Sequence, residues 1–135
     1  MKHSSYPHNR RGFTLVEIMI VVAIIALLAS IAVPNFLRAR KRSQATRVLE
    51  DMRVLDNATD EYAIENNKSS GALANITDLK AYVKTGSVLY STGADIFGDT
   101  YGPFTVDTIQ HVPTNAFATL SDVAPYTFWS PFVTP

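Results

Sequence analysis

The chain has 135 residues, a formal net charge of zero and no cysteine. This length allows one modest domain beside a membrane segment, and the balanced charge gives no reason to propose nucleic acid as a partner. Without cysteine there is no disulfide, no thiol nucleophile and no cysteine metal site. Only one of the three histidines, His111, lies beyond residue 8, so the sequence offers few histidine ligands for a zinc site and a single histidine for a catalytic triad. We therefore do not expect an enzyme.

A long apolar segment follows a basic leader at the start of the chain. Lys2, Arg10 and Arg11 precede it, and it carries one charge, Glu17, before an uncharged run over residues 18–37. As a helix this run is about 30 Å long, the thickness of a bilayer's hydrocarbon core. Because a basic leader favours a cytoplasmic N-terminus, the segment is predicted to be a membrane anchor with the rest of the chain outside.

The position of a small residue distinguishes this segment from an ordinary secretory signal. Gly12 stands before the apolar run, and no A-x-A pattern follows that run. The stretch has the sequence RGFTLVEIMIVVAIIALLASIAVPNF, which closely resembles the N-terminal segment of type IV pilins and type II secretion pseudopilins. The resemblance implies that a prepilin peptidase cuts between Gly12 and Phe13, removing residues 1–12, and that the new amine of Phe13 is N-methylated.

Glu17 matches the glutamate of that family. A carboxylate at the edge of a membrane helix costs a few kcal/mol unless it is paired or protonated. Cleavage after Gly12 frees an α-amine one helical turn before Glu17, and the resemblance implies that the amine of a neighbouring copy pairs with this carboxylate during assembly. The alternative is that Glu17 only suits the positive end of the helix dipole.

Pro34 matches the helix-interrupting proline of the family. Since proline has no amide hydrogen, the carbonyl of Ser30 loses its helical partner, and we expect the helix to kink or loosen there. A locally melted segment would let a subunit packed in a filament lengthen under tension. The alternative is an ordinary proline tolerated in a membrane helix.

A basic cluster follows the apolar segment and departs in its density from the family pattern, because basic residues normally stay cytoplasmic. Two interpretations remain open for it. In the first, the cluster contacts lipid phosphates and later the acidic stem residues of neighbouring copies. In the second, the cluster is a solvated helix face. The cluster consists of Arg38, Arg40, Lys41 and Arg42.

Residues 43–66 have apolar positions at spacings of three and four, which predict an amphipathic helix. No helix breaker separates residue 37 from residue 66, so we expect one helix of about fifty residues, with an anchor part (13–37) and a stem (38–67). The stem's apolar stripe must be covered by the remaining chain. Its members are Ala45, Val48, Leu49, Met52, Leu55, Ala58 and Tyr62.

Residues 68–135 are predicted to form a small α/β head. Thr77 is expected to cap a short helix over residues 78–84, with Gly86 ending it. The late aromatic residues are expected in the core, and the fold class is α+β, a long helix packed against a small antiparallel sheet of about three strands, as in pilins. The β-prone pieces are 87–91, 104–109, 116–120 and 126–129, and the aromatic residues are Phe117, Tyr126, Phe128, Trp129 and Phe132.

Asp95 and Asp99, on either side of Gly98, form a candidate calcium loop. Carboxylates at positions i and i+4 around a glycine suit oxygen ligation, and the resemblance implies calcium in a loop of the sheet region. The alternative is a β-turn with two solvated aspartates. No cofactor is required by this interpretation, and calcium is the one candidate.

These features predict a structural subunit of a helical filament, either a type IV pilus or a type II secretion pseudopilus. The expected partners are copies of itself, a prepilin peptidase, an inner-membrane assembly platform and the membrane. The head is expected outside the bacterial cytoplasmic membrane and later in a periplasmic or extracellular filament. The alternatives are a singly anchored binding module, a minor tip pilin with an adhesive head and, least supported, a hydrolase using Asp95, Asp99 and His111.

Overall fold

A computed structural model describes residues 12–132. Most of the predicted leader, including Lys2, Arg10 and Arg11, lies outside the described residues. The chain divides into two compact units, Met1–Leu37 and Arg38–Pro135, which are treated separately below. The helices are α1 (Leu15–Glu65), α2 (Ile76–Leu79), α3 (Val88–Thr92) and α4 (Thr114–Leu120), with 3-10 turns at Lys80–Tyr82 and Tyr126–Trp129; the strands are β1 (Leu73–Ala74) and β2 (Phe104–Thr105).

The long helix predicted from the sequence is present. Helix α1 has 51 residues and continues through Pro34 without a break. The helix assignment does not break at Pro34, and the kink or loosening expected there stays a prediction. One proline removes a single N–H donor, and the helical residues on either side keep their own hydrogen bonds.

The second unit is built around the stem part of α1. Its apolar stripe is buried as predicted, with Val48 and Leu55 fully inaccessible, although Tyr62 lies at the edge and is only partly buried. The spacing of three and four places these side chains on one face, which the head covers. The head contributes the buried residues Ala74, Leu79, Val83, Leu89, Tyr101, Phe104, Val112, Ala116, Leu120, Ala124, Trp129 and Phe132.

The sheet is smaller than predicted. Strands β1 and β2 pair antiparallel over two residues each, with Leu73 opposite Thr105 and Ala74 opposite Phe104, and a separate bridge joins Ala94 to Thr100. The piece 104–109 therefore supplies only two strand residues. The α+β class holds, with very little strand.

Three pieces predicted as strands are helical, and local chemistry explains each. Helix α3 begins where the Ser87 hydroxyl accepts the Tyr90 N–H at 3.0 Å and ends at Gly93, whose φ is +63°. Helix α4 buries Ala116 and Leu120, four residues apart, on one face. The segment Tyr126–Trp129 is a 3-10 turn that directly follows Pro125. These segments were predicted to be strands because a short apolar run is compatible with the two-residue period of a strand and with the 3.6-residue period of a helix.

The short helix α2 begins two residues earlier than predicted. Asn75 precedes it, and the Asp78 carboxylate accepts the Asn75 N–H at 2.9 Å, which is one half of a capping box. Thr77 lies inside the helix and does not cap it. Leu79 and Val83 are buried against the stem as expected, and Tyr82 packs edge to face on Tyr62 with ring centroids 6.3 Å apart.

The aromatic residues predicted for the core do not all lie there. Trp129 is fully buried and its indole N–H donates to the carbonyl of Ala124 at 3.2 Å. Phe132 is also buried, but Tyr126 is 66% exposed and stacks on Phe117 at the surface. The polar hydroxyl of tyrosine lets this ring stay at the edge of the core.

Two valines on the stem provide a matched test of the core. Val48 is fully buried and Val54 is 42% exposed. Val48→Ala is expected to lower the free energy of unfolding of the head by about 2 kcal/mol, because it removes two buried methyl groups and leaves a cavity. Val54→Ala should change it by less than about 0.5 kcal/mol.

Trp129 is the single tryptophan of the chain and lies in the head, so its fluorescence during denaturant unfolding of the detergent-solubilised chain measures both variants. Equal losses of stability for Val48→Ala and Val54→Ala would contradict the assignment of the buried stripe.

Candidate functional site

The anchor segment of the first unit has no cover within its own unit. Every residue from 12 to 40 is exposed, and sixteen large apolar side chains between residues 13 and 37 are at least 48% accessible. Soluble monomers rarely expose contiguous apolar patches larger than a few hundred Å². Among the described residues, α1 is the one helix long and apolar enough to cross a membrane, judged by length and composition. The segment therefore requires lipid or other copies around it.

The start of α1 is closed by a capping box. The Glu17 N–H donates to the Thr14 hydroxyl at 3.2 Å, and the Thr14 N–H donates to the Glu17 carboxylate at 3.4 Å. This reciprocal pair satisfies two backbone donors that a helix start leaves free. The role of Thr14 as a cap was not predicted from the sequence, although the T-x-x-E spacing before an apolar run is a known signal for such a cap. Glu17 thus has a contact inside its own chain, and its side chain is still exposed.

Gly12 and Phe13 precede the helix in non-helical, exposed chain. A Cβ added to Gly12 meets no atom of the described residues within 4 Å. Within residues 12–132, steric contact therefore does not require glycine at position 12. Any requirement for a small residue there must come from a partner that contacts this site.

One member of the basic cluster is used inside the second unit. Lys41 Nζ lies 2.9 Å from an Asp122 carboxylate oxygen, and this hydrogen bond holds the pKa of Asp122 below its usual value. Both side chains are well exposed, so the pair contributes little to stability. Arg38, Arg40 and Arg42 are exposed and, within the described chain, have no carboxylate within 4 Å.

The Asp95 loop is a backbone turn that the Asp95 side chain organises. Asp95 Oδ1 accepts the N–H of Phe97 at 2.8 Å and of Asp99 at 2.9 Å. Asp95 is only 6% exposed, so the alternative of two solvated aspartates is wrong for this residue. Asp99 is half-buried and accepts the Asn115 amide N–H at 3.0 Å.

One oxygen of this loop has no partner. Asp95 Oδ2 is buried and accepts no hydrogen bond. Nearby, the Tyr101 hydroxyl donates to the Asp51 carboxylate at 3.4 Å, and burial raises the pKa of both groups, with the charge of Asp95 adding to each rise. A cation here would relieve the Asp51 and Asp95 charges.

The residues present do not by themselves form a calcium cage. Calcium takes six to eight oxygen ligands, whereas Asp95 Oδ1 is already held by two amides and Asp99 by Asn115. Between residues 12 and 132, no group of three or more His, Cys, Asp or Glu side chains is placed to hold a metal ion, so Asp95, Asp99 and His111 do not assemble such a group. Calcium binding stays a prediction.

Two substitutions separate the turn from calcium binding. Asp95→Ala leaves the N–H groups of Phe97 and Asp99 without an acceptor and is expected to lower the free energy of unfolding by about 2 to 4 kcal/mol. Asp95→Asn keeps the accepting oxygen and should stay within about 1 kcal/mol of the parent chain.

Thermal unfolding with calcium and with magnesium is the readout for these variants. A calcium-specific rise in Tm of the parent that Asp95→Asn abolishes would support the metal prediction. The same Tm in both salts for both chains would contradict it. Equal stability of Asp95→Ala and the parent would refute the role of Asp95 in the turn.

Comparison with known proteins gives matches for the N-terminal half of the chain. The family model described as the prokaryotic N-terminal methylation motif matches residues 7–33, which include Gly12, Phe13 and Glu17. The chain is 40% identical over 70 residues to a type IV major pilin protein, PilA, of Myxococcus xanthus, covering 52% of this chain and 32% of that protein. It is 41% identical over 59 residues to type II secretion system core protein G of Escherichia coli, covering 44% and 41%.

A longer match is to a type IV wide pilus major component, PilA4, of Thermus thermophilus, at 37% identity over 83 residues, 62% of this chain and 63% of that protein. The chain thus spans between a third and just under two thirds of these relatives' length. No solved structure matches it. The N-terminal segment of the chain is therefore similar to that of type IV pilins and of type II secretion core protein G.

Proposed function

We propose that the chain is a structural subunit of a filament assembled from the bacterial cytoplasmic membrane. The observation that carries this proposal is the uncovered apolar segment of residues 13–37, which coincides in large part with the methylation motif. In the membrane, lipid covers this segment. In the filament, residues 13–33 of neighbouring copies cover one another, and the same pair of surfaces repeats without closing.

The first step is cleavage between Gly12 and Phe13 by a prepilin peptidase, followed by methylation of the Phe13 amine. The bond lies in exposed, non-helical chain, with two residues between it and the start of α1 at Leu15. Proteolysis needs an accessible and extended segment, so this position is suited to cutting. A side chain added at Gly12 would meet no atom of residues 12–132 within 4 Å, so the described chain does not obstruct an enzyme on that side.

The second step is pairing of the Glu17 carboxylate with the Phe13 amine of a neighbouring copy. Within its own chain, Glu17 accepts one N–H at the long distance of 3.4 Å, so most of its hydrogen-bonding capacity is free. Packed apolar helices exclude water, and in such a site an ion pair is much stronger than at a wet surface. Leaving the carboxylate unpaired there would be costly, so the pair also fixes the register between copies.

Pro34 belongs to the same proposal as a place where the packed helix lengthens. Helix α1 is continuous at this residue in the isolated chain, so any melting would occur only in the filament. The Ser30 carbonyl, which faces no N–H from residue 34, is the weak point of the helix.

We infer that the filament is either a type IV pilus or a type II secretion pseudopilus and that the chain works with an inner-membrane assembly platform. The relatives include both kinds of protein. A singly anchored binding module or an adhesive tip pilin would use the same anchor, but a mere anchor would not need the Glu17 charge.

Glu17→Gln and Thr14→Ala distinguish pairing from capping. Glutamine still closes a capping box but carries no charge, so Glu17→Gln is expected to be cut after Gly12 and to form at least about tenfold fewer filaments. Thr14→Ala loses a cap worth about 1 kcal/mol of helix stability but keeps the charge, and should form filaments normally. Filaments sheared from cells and counted by electron microscopy give the result.

Normal filaments from Glu17→Gln, or equal losses in the two variants, would contradict the pairing role. A parent chain that is cut but never polymerises in the presence of the assembly proteins would overturn the proposed function in favour of an anchored module.

A further inference from the structure

The exposed cations at the start of the stem have no partner in their own chain. Arg38 and Arg42 lie four residues apart on α1 and are exposed, and neither has a carboxylate within 4 Å among residues 12–132. Like charges at this spacing on a helix repel by a few tenths of a kcal/mol. Lys41 donates a hydrogen bond to Asp122, and the more distant charge of Arg38 also lowers the pKa of Asp122 without forming a salt bridge. These arginines are therefore available to an external anion.

An acidic patch lies further along the same helix, and its carboxylates form no salt bridge within residues 12–132. Asp56, Asp60 and Asp107 line a cavity of about 170 Å³. Lys68 lines the adjoining cavity beside Asp60 and Asp107, so the patch carries three carboxylates and one nearby cation. Asp56 and Asp60 are again four residues apart, and Asp107 comes from the loop after β2, with φ at +61°. Burial and the neighbouring Asp60 charge raise the pKa of Asp56.

The two charged pairs share one face of the stem. Asp56 lies 18 residues after Arg38, and Asp60 lies 18 residues after Arg42. Eighteen residues are five turns of an α-helix, so each aspartate lies directly along the helix axis from its arginine, about 27 Å away. This distance excludes pairing within one chain. Two parallel copies displaced by five turns, with these faces together, bring the arginines of one copy to the aspartates of the other.

We propose that Arg38 and Arg42 of one copy bind the acidic patch of a second copy displaced by five helical turns, which is a different neighbour in the filament from the copy whose Phe13 amine pairs with Glu17. The inference rests on the proposed function, since anchoring in one membrane makes all copies parallel. The displaced register leaves one arginine pair and one acidic patch free at opposite ends. Each added copy recreates the same unpaired ends, so the contact is open-ended and builds a fibre rather than a closed dimer. With no displacement, like charges would face each other, which disfavours that register.

Cross-linking tests the register, because the chain has no cysteine and each engineered one is unique. Full-length chain carrying Arg42→Cys and Asp60→Cys is expressed with its peptidase and assembly proteins, and treated with a short bis-maleimide whose reach is far below 27 Å. The expected product on a denaturing gel is a ladder of dimers, trimers and longer chains. The matched control is Arg42→Cys with Glu50→Cys, which places the second cysteine on the exposed stem only eight residues away.

The ladder in the first variant, at least tenfold above the control, supports the proposal. Filaments without a ladder overturn it while leaving the proposed function intact. Dimers alone also overturn it, because they indicate a closed antiparallel pair. If the parent chain forms no filaments at all, the proposed function and this inference fail together.

Charge exchange provides the second readout. Arg38→Asp with Arg42→Asp, and separately Asp56→Lys with Asp60→Lys, should each reduce filament number at least tenfold, and the four changes together should restore it to within about threefold of the parent. Trp129 fluorescence confirms that each variant is folded. If the arginine changes instead abolish binding to vesicles of anionic lipid and the combined variant is not rescued, the cations serve the membrane and the proposal is wrong.

Discussion

The structure depends on one constraint: the apolar segment of residues 13–37 finds no cover in its own unit. All of its large side chains are exposed, and at about 25 cal/mol per Å² of apolar surface the cost of leaving them in water exceeds the stability of a small domain. The chain is therefore complete only when lipid or other copies surround it. The capped start at Thr14 and Glu17 fits this requirement, because a helix end entering an apolar environment must have its N–H groups satisfied.

A few polar contacts accompany the apolar core of the head. Asp95 closes a turn by accepting two backbone N–H groups, and Lys41 joins Asp122. At the other end of the stem, the Tyr82 hydroxyl donates to the Glu65 carboxylate at 2.6 Å, a hydrogen bond that raises the pKa of Tyr82. The buried stripe of α1 supplies the apolar core beneath these contacts, so the stem stabilises the head as much as the head covers the stem.

The sequence predicted the long helix and its buried face well, because the period of 3.6 residues persists over many turns and no breaker interrupts it. The head was predicted less well. Short segments such as Val88–Thr92 and Thr114–Leu120 do not show enough of a period to distinguish a helix from a strand. The Ser87 cap favours a helix in the first segment, and the burial of Ala116 and Leu120 on one face favours a helix in the second. The sequence also identified Asp95 but not its role, since the two amides it accepts from are set by the folded turn.

The central claim is that the chain is cut after Gly12 and keeps its apolar segment. The most direct test is the intact mass of membrane-extracted chain after co-expression with a prepilin peptidase. The account predicts the mass of residues 13–135 with one added methyl group. An uncut chain, or one cut at residue 29 or beyond so that the apolar segment is lost, would contradict it.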